Sequence, residues 1–415
     1  MIDKNTPLYA AGLGIAFYLP LAGAQGFLED SKASLELRSF YMNRDFREGD
    51  GQSKREEWAQ GFILRYESGY TPGLIGVGFD AIAMLGVKLD SGRGRSGTGL
   101  LPVQDDGGVP DTYSKAGGTL KLKVSESELR VGTLLPKWPT LASNNGRLLP
   151  QTFEGTQVLV NEWKAFELTG ANIRQTVYRD QSGSTGLALN NKNRRFGGPL
   201  DGGDFNVAGV VYHAGAATDL LAQYVVLEDL YTQRFYGLTD RRRGDWGTFT
   251  SDIRLFDSDE QGQARGGAID NRALSLMGSF KRAGHAFGLG YQRMFGDSAF
   301  PYVAGTDPYL VNFVQVGDFA EKNERSWQAK YDFDLATLGM PGLTFMARYL
   351  RGSQAEVPGA ESGRERELDV ELQYVVQSGS AKGLNMRLRS ATYRSDFSRD
   401  ANDVRVIVSY PLSLL

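Results

Sequence analysis

The strongest constraint on this chain is a period of two in its apolar residues. Ile75, Val77, Phe79, Ala81, Ala83, Leu85, Val87 and Leu89 form one unbroken apolar parity against Gly76, Gly78, Asp80 and Lys88. Leu368, Val370, Leu372, Tyr374 and Val376 do the same against Glu367, Asp369, Glu371 and Gln373, and Val404, Val406, Val408, Tyr410, Leu412 and Leu414 against Arg405 and Ser409. Successive side chains of a strand point to opposite faces, so such segments are β-strands with one apolar and one polar face. The pattern recurs at Leu274–Phe280, Trp327–Phe333, Leu343–Tyr349 and Leu384–Leu388.

A soluble β-sandwich and a membrane barrel write the same local pattern. In the sandwich the apolar parity is the core; in the barrel it faces lipid, and the charged parity lines a wet lumen. Three features favour the barrel. The strands reach the ~9–11 residues of a tilted bilayer crossing. The apolar parity carries aromatics near its ends (Trp58, Tyr66, Trp327, Tyr331, Tyr349, Tyr374, Tyr410), as membrane interfaces favour. The chain also ends inside its last strand, which can close the barrel by pairing with the first and leave no open edge. Turns alternate between short, as at Ser378–Gly383, and long, as expected for Gly352–Gly363; a bacterial outer-membrane barrel has short turns at one end and long loops at the other.

Composition removes other classes. With no cysteine and two histidines, thiol nucleophiles, disulfide scaffolds and most zinc sites are excluded. A formal charge of −3 from 46 basic and 49 acidic residues argues against a nucleic-acid-binding surface. No segment after the N-terminus approaches the ~18 apolar residues of a spanning helix. At the N-terminus, Lys4, an apolar run from Leu8 to Leu21 and Ala22-Gly23-Ala24 form a secretory signal over residues 1–24, leaving residues 25–415 as one domain. Roughly 390 residues at about 22 per strand and connection gives about 18 strands, with 16 left open beside it.

Specific wording adds to the pattern. Gly26-Phe27-Leu28-Glu29-Asp30, Gly146-Arg147-Leu148-Leu149-Pro150-Gln151-Thr152-Phe153, Gly296-Asp297-Ser298-Ala299-Phe300-Pro301-Tyr302, Ser326–Asp332, Tyr374–Gly379 and the ending Tyr410-Pro411-Leu412-Ser413-Leu414-Leu415 resemble the porin D (OprD) family of outer-membrane carboxylate channels. The resemblance implies an all-β, single transmembrane antiparallel barrel of 18 strands, monomeric or loosely trimeric, with inward-folded constricting loops and a ladder of basic residues along one wall. It also implies passive uptake of small carboxylates with no cofactor. Arg147–Phe153 and Leu388–Arg394 are more similar to the branch taking up aromatic and other monocarboxylates (benzoate, vanillate, phenylacetate) than to the branch for basic amino acids.

Strand parity points Lys330, Arg348, Arg387, Arg389 and Arg405 into the lumen, and the resemblance puts Arg147 near the constriction. A row of cations offers a carboxylate several weak sites between which it can hop, and guanidinium suits bidentate carboxylate contact. These residues either lie on the substrate path or pair with Glu367, Asp369 and Glu371 and brace the wall. Asp297 and Ser298, in the stretch resembling the constricting loop, would supply an acceptor and a hydroxyl opposite the basic wall, or form an ordinary turn. Arg293 shares the outward parity, and the register of Arg179 is open. Arg241-Arg242-Arg243 is a solvated charge run or, more sharply, a contact for anionic lipopolysaccharide. A basic-amino-acid channel stays open as a second substrate class, and an exported β-rich enzyme or adhesin as a second function. His213 and His285 are far apart in sequence and no nucleophile-elbow motif accompanies them.

Overall fold

The computed structural model describes residues 26–47 and 49–415; the signal expected over residues 1–24 lies outside these. The wall is built from β1 (Lys32–Phe46), β2 (Lys54–Glu67), β3 (Gly76–Asp90), β4 (Thr112–Val124) and β5 (Ser127–Leu134). It continues, after a small hairpin of β6 (Lys137–Trp138) and β7 (Leu141–Ala142), with β8 (Thr152–Trp163), β9 (Phe166–Val177), β10 (Phe205–His213), β11 (Thr218–Leu227) and β12 (Tyr231–Gly244). β13 (Gly247–Glu260), β14 (Asp270–Arg282), β15 (His285–Phe295), β16 (Arg325–Asp334), β17 (Leu343–Val357), β18 (Ala360–Val375), β19 (Asn385–Ser395) and β20 (Ala401–Ser413) complete it. Eighteen of these strands form one sheet, each antiparallel to its neighbours. β20 pairs with β1 from Ser34↔Ser413 to Phe46↔Ala401, so the sheet is a closed barrel.

Alternation sorts the side chains as expected. On β18, Leu368 and Leu372 are 44% and 43% exposed while Glu367 and Asp369 are 0% and 1%. The exposed apolar faces of successive strands make the outer surface, ringed by aromatics such as Trp58, Trp327, Phe287 and Tyr374. The end carrying the start of β1 and the end of β20 has tight turns, such as 125–126, 164–165, 245–246 and 283–284. The opposite end carries the long connections 91–111, 135–151, 178–204 and 296–324. Short turns mark the periplasmic end of such a barrel and long loops the extracellular end.

The core of this protein is inside the wall. Leu148 and Leu149 of the 135–151 connection, with Leu100 and Leu101 of 91–111, pack on Phe40, Met42, Ala59 and Ile63 of β1 and β2. Gly61 makes room for this: a Cβ there would lie 3.1 Å from the Leu148 side chain. At Gly352 the missing side chain admits Phe319 and Glu324 of the 296–324 loop, so strand glycines serve close approach by an inner layer. Asp318 ties two loops together, accepting from Arg195 at 2.6 Å, Lys192 at 2.9 Å and the Tyr302 hydroxyl at 3.0 Å. Arg195 also donates to Glu321 at 2.8 Å. Burial would raise the Asp318 pKa, but Arg195 and Lys192 outweigh it and hold the carboxyl well below its usual range.

One sequence expectation is corrected here, and one pair of alternatives is decided. Gly352–Gly363 is not a long loop: β17 and β18 run through it and turn at residues 358–359. At 15 and 16 residues these strands are longer than the ~9–11 a bilayer crossing needs, so their tips need no apolar parity, and register shifts at Ser353/Ala355 and Ala355/Val357 break the period. Arg241–Arg243 are exposed at the short-turn end of β12, as a solvated charge run is, and this is the periplasmic end, which leaves the lipopolysaccharide alternative without a surface.

Two outcomes follow from this architecture. Leu289, 72% exposed on the lipid face of β15 between Phe287 and Tyr291, should tolerate arginine poorly: Leu289→Arg should lower the stability of the barrel in lipid vesicles by about 2–4 kcal/mol, read by urea unfolding. Asp318→Asn leaves Arg195 and Lys192 buried without full compensation, a local cost of about 3–5 kcal/mol. It should release the loops and make the single-channel current noisier, with the heat-modifiable band of the folded barrel retained.

Candidate functional site: an arginine-lined constriction

Strand parity and loop packing converge on a cavity of about 400 Å³ inside the barrel. Arg44 of β1, Arg348 of β17, Arg389 of β19 and Arg405 of β20 face it from the wall, and Arg147 and Arg179 from the inward connections. Asp307, Thr306 and the Val314–Val316 strip of the 296–324 loop line it as well. Register explains the wall members: Arg389 is directly opposite Arg405, and Arg348 opposite Asp369.

Most wall arginines are held by carboxylates. Arg348 donates to Asp369 at 2.6 Å, and Arg389 lies 2.9 Å from Glu371. Asp403 takes Arg405 at 2.7 Å and Arg44 at 2.8 Å. Arg405 also donates to the Gln315 carbonyl at 2.8 Å, while the Gln315 amide donates to Asp403 at 2.8 Å. The same arginine therefore lines the lumen and pins the inward loop. Among the described residues no arginine pairs with Glu367; it accepts the backbone N–H groups of Val316 and Gly317 at 2.9 and 2.7 Å. Arg147 and Arg179 differ. Arg147 donates to the carbonyls of Thr98 and Gly146 at 3.0 and 2.9 Å, and among the described residues neither has a carboxylate within ion-pair distance. Both guanidiniums keep donors for a solute.

Asp307 is the loop acid at this cavity, held by the Asn144 amide at 2.7 Å. Burial raises its pKa, opposed by Arg179, Arg147 and Arg405. The cavity thus brings six guanidiniums together with Asp307, a carboxylate that is easier to protonate than usual.

Of the sequence candidates, Arg147, Arg348, Arg389 and Arg405 meet at this cavity. Lys330 and Arg387 do not line it. They continue the same wall towards the periplasm, Lys330 opposite Arg348 and 3.0 Å from Asp332, and Arg387 bonded to Gln373 at 3.1 Å and 3.3 Å from Glu371. Asp297 and Ser298 are elsewhere. Asp297 is exposed at the extracellular mouth, 3.5 Å from Lys322. Ser298 is buried, its hydroxyl bonded to the backbone of Asp270 at 3.2 Å and its carbonyl accepting from Asn271 at 2.9 Å. They form the turn that enters the loop, and the loop acid that reaches the cavity is Asp307, further along it. His213 pairs with Asp219 and Glu167, and His285 with Tyr331; neither ring meets a serine. Arg293 lies over the Phe295 ring, 4.3 Å from its centroid.

Sequence reasoning missed Arg44 and Asp307 and left the register of Arg179 open. On β1 the inward parity holds Phe40 and Met42 beside Arg38 and Arg44, because the inner layer packs there, and the apolar and polar faces cannot be told apart. Arg179 and Asp307 sit in connections, where no parity exists.

Known proteins with this architecture are similar to this chain in sequence along nearly its whole length. The family described as "outer membrane porin, OprD family" matches residues 25–414. The porin-like protein GalP of Pseudomonas putida is 39% identical over 407 residues, 97% of each chain. Among solved structures, OccK5 (OpdH) of Pseudomonas aeruginosa is 49% identical with a TM-score of 0.85, and OpdK of the same organism, solved with vanillate, 41% identical with a TM-score of 0.88; each match covers 94% of this chain and all of the other. Similarity of this extent leaves no segment of the wall unaccounted for: the chain belongs to the OprD family, and its barrel is a porin of the bacterial outer membrane, a channel and not an enzyme.

Proposed function

We propose that this porin admits small carboxylates to the periplasm passively, aromatic monocarboxylates such as benzoate among them. The observation that carries this is the pair Arg147 and Arg179, whose guanidiniums face the constriction without a carboxylate partner while the arginines around them have one. A carboxylate entering from outside supplies the missing partner. Because Asp403, Asp369 and Glu371 compete for the neighbouring cations, each contact along the wall is weak. Occupancy then passes from Arg147 and Arg179 to Arg389, and on to Arg387 and Lys330, without trapping the solute. The planar guanidinium also accepts an aromatic ring on its face. The likeness to OpdK, which was solved with vanillate, supports the aromatic monocarboxylate.

The deciding experiment is swelling of liposomes carrying the purified porin in iso-osmotic benzoate or in arginine. Faster benzoate entry supports this function; faster arginine entry keeps the channel and replaces its substrate. Arg179→Ala should slow benzoate entry roughly three- to tenfold, the scale of one lost hydrogen bond to a charged group partly screened by water, with xylose entry unchanged. Arg389→Ala should likewise slow benzoate more than xylose, and equal slowing of both would assign Arg389 to the shape of the pore. Asp307 gives a pH signature. Its raised pKa means that it loses its charge as pH falls before ordinary carboxylates do, so anion-over-cation selectivity in planar bilayers should rise on acidification. Asp307→Asn should show the acid-like selectivity at neutral pH and flatten the dependence.

A further inference from the structure

A second cavity, of about 630 Å³, lies on the periplasmic side of the constriction. Its wall comes from the ends of strands that meet at periplasmic turns: Arg65 and Glu67 at the end of β2, Asp80 and Ile82 near the start of β3. The 135–151 connection separates it from the first cavity. Asn144, Gly146 and Arg147 of this segment line the constriction, while Ser143, Asn145 and Pro150 line the second space. One thin segment of chain therefore has a binding surface on each side.

The second cavity has an apolar side and a free cation, which its charged strand residues do not supply. Arg130 is 2.7 Å from Glu128, Arg65 3.5 Å from Glu36, and Asp80 2.6 Å from Lys121. Lys137 is exposed and, among the described residues, has no carboxylate within ion-pair distance. Beside it, Leu134, Leu135, Pro136 and Trp138 present a hydrocarbon and indole surface. Trp138 is held from behind by the cluster containing Leu134, Leu141 and Phe153, so the ring is fixed.

We propose that this cavity is a release subsite for aromatic monocarboxylates, in which Lys137 takes the carboxylate from Arg147 across the 135–151 segment and the ring settles against Trp138. It rests on the carboxylate function above and adds a place where the ring is recognised. The basic wall reads charge and offers a ring only a guanidinium face, whereas apolar contact on an indole surface separates a ring from an aliphatic chain more sharply. An ammonium on a flexible stem suits hand-over, because it is a point charge that accepts a carboxylate from many directions.

The test compares entry of benzoate, propionate and xylose into liposomes carrying full-length wild type, Lys137→Gln or Trp138→Ala. Trp138→Ala should lower the benzoate-to-propionate ratio about threefold, the scale of one aromatic contact. Lys137→Gln should slow both carboxylates relative to xylose. If wild type favours benzoate and both variants keep its ratios, the subsite is overturned and the carboxylate function stands. If wild type does not favour carboxylates over xylose, the function falls and the subsite with it. Should Trp138→Ala not give a heat-modifiable barrel, Trp138→Leu keeps apolar volume without the ring, and the same ratio decides.

Discussion

Everything in this protein depends on satisfying backbone hydrogen bonds where no water is available. Hydrocarbon offers no partner to a free N–H or C=O, and a strand wall can cross it only if the last strand returns to the first. The pairing of β20 with β1 provides this and sets the rest. Closure obliges every strand to keep its register, and register obliges every second residue to face the lumen. The placement of Arg348, Arg389 and Arg405 is a by-product of sealing the wall.

Turning the apolar face outward leaves the inside to be filled by polar means. The inward connections cannot rely on hydrophobic burial alone, and they are clamped by charge: Asp318 between Arg195 and Lys192, Glu367 on the N–H groups of Val316 and Gly317, Asp403 through Gln315. Buried ion pairs add little net stability in a soluble core. Here they define where a loop stops, and so the width of the lumen. A small apolar inner layer around Leu148 and Leu149 does the same on the β1–β2 side.

This division explains what could be read in the amino-acid order. Wherever lipid lies on one side and lumen on the other, the period of two is obligatory; it makes β15 to β20 readable and with them three of the six arginines at the cavity, Arg348, Arg389 and Arg405, whereas Arg147 comes from the family wording of its connection. Where the inner layer touches the wall, as at Phe40 and Met42, both faces are apolar and Arg44 disappeared from view. Where β17 and β18 leave the bilayer, the period is no longer required and Gly352–Gly363 looked like a loop. The 296–324 connection holds both Asp297 and Asp307, and no geometric rule in the sequence ranks one acid above the other; the fold brings Asp307 to the cavity.

The double attachment of Arg405 has an evolutionary consequence. Its guanidinium contributes positive charge to the lumen and at the same time grips the Gln315 carbonyl, so any replacement changes aperture and charge together. Arg179, which holds no carboxylate and donates no hydrogen bond to another described residue, carries charge without carrying the loop. Substrate range can drift through a position of the second kind one mutation at a time, while the first kind has to be altered jointly with the segment it anchors.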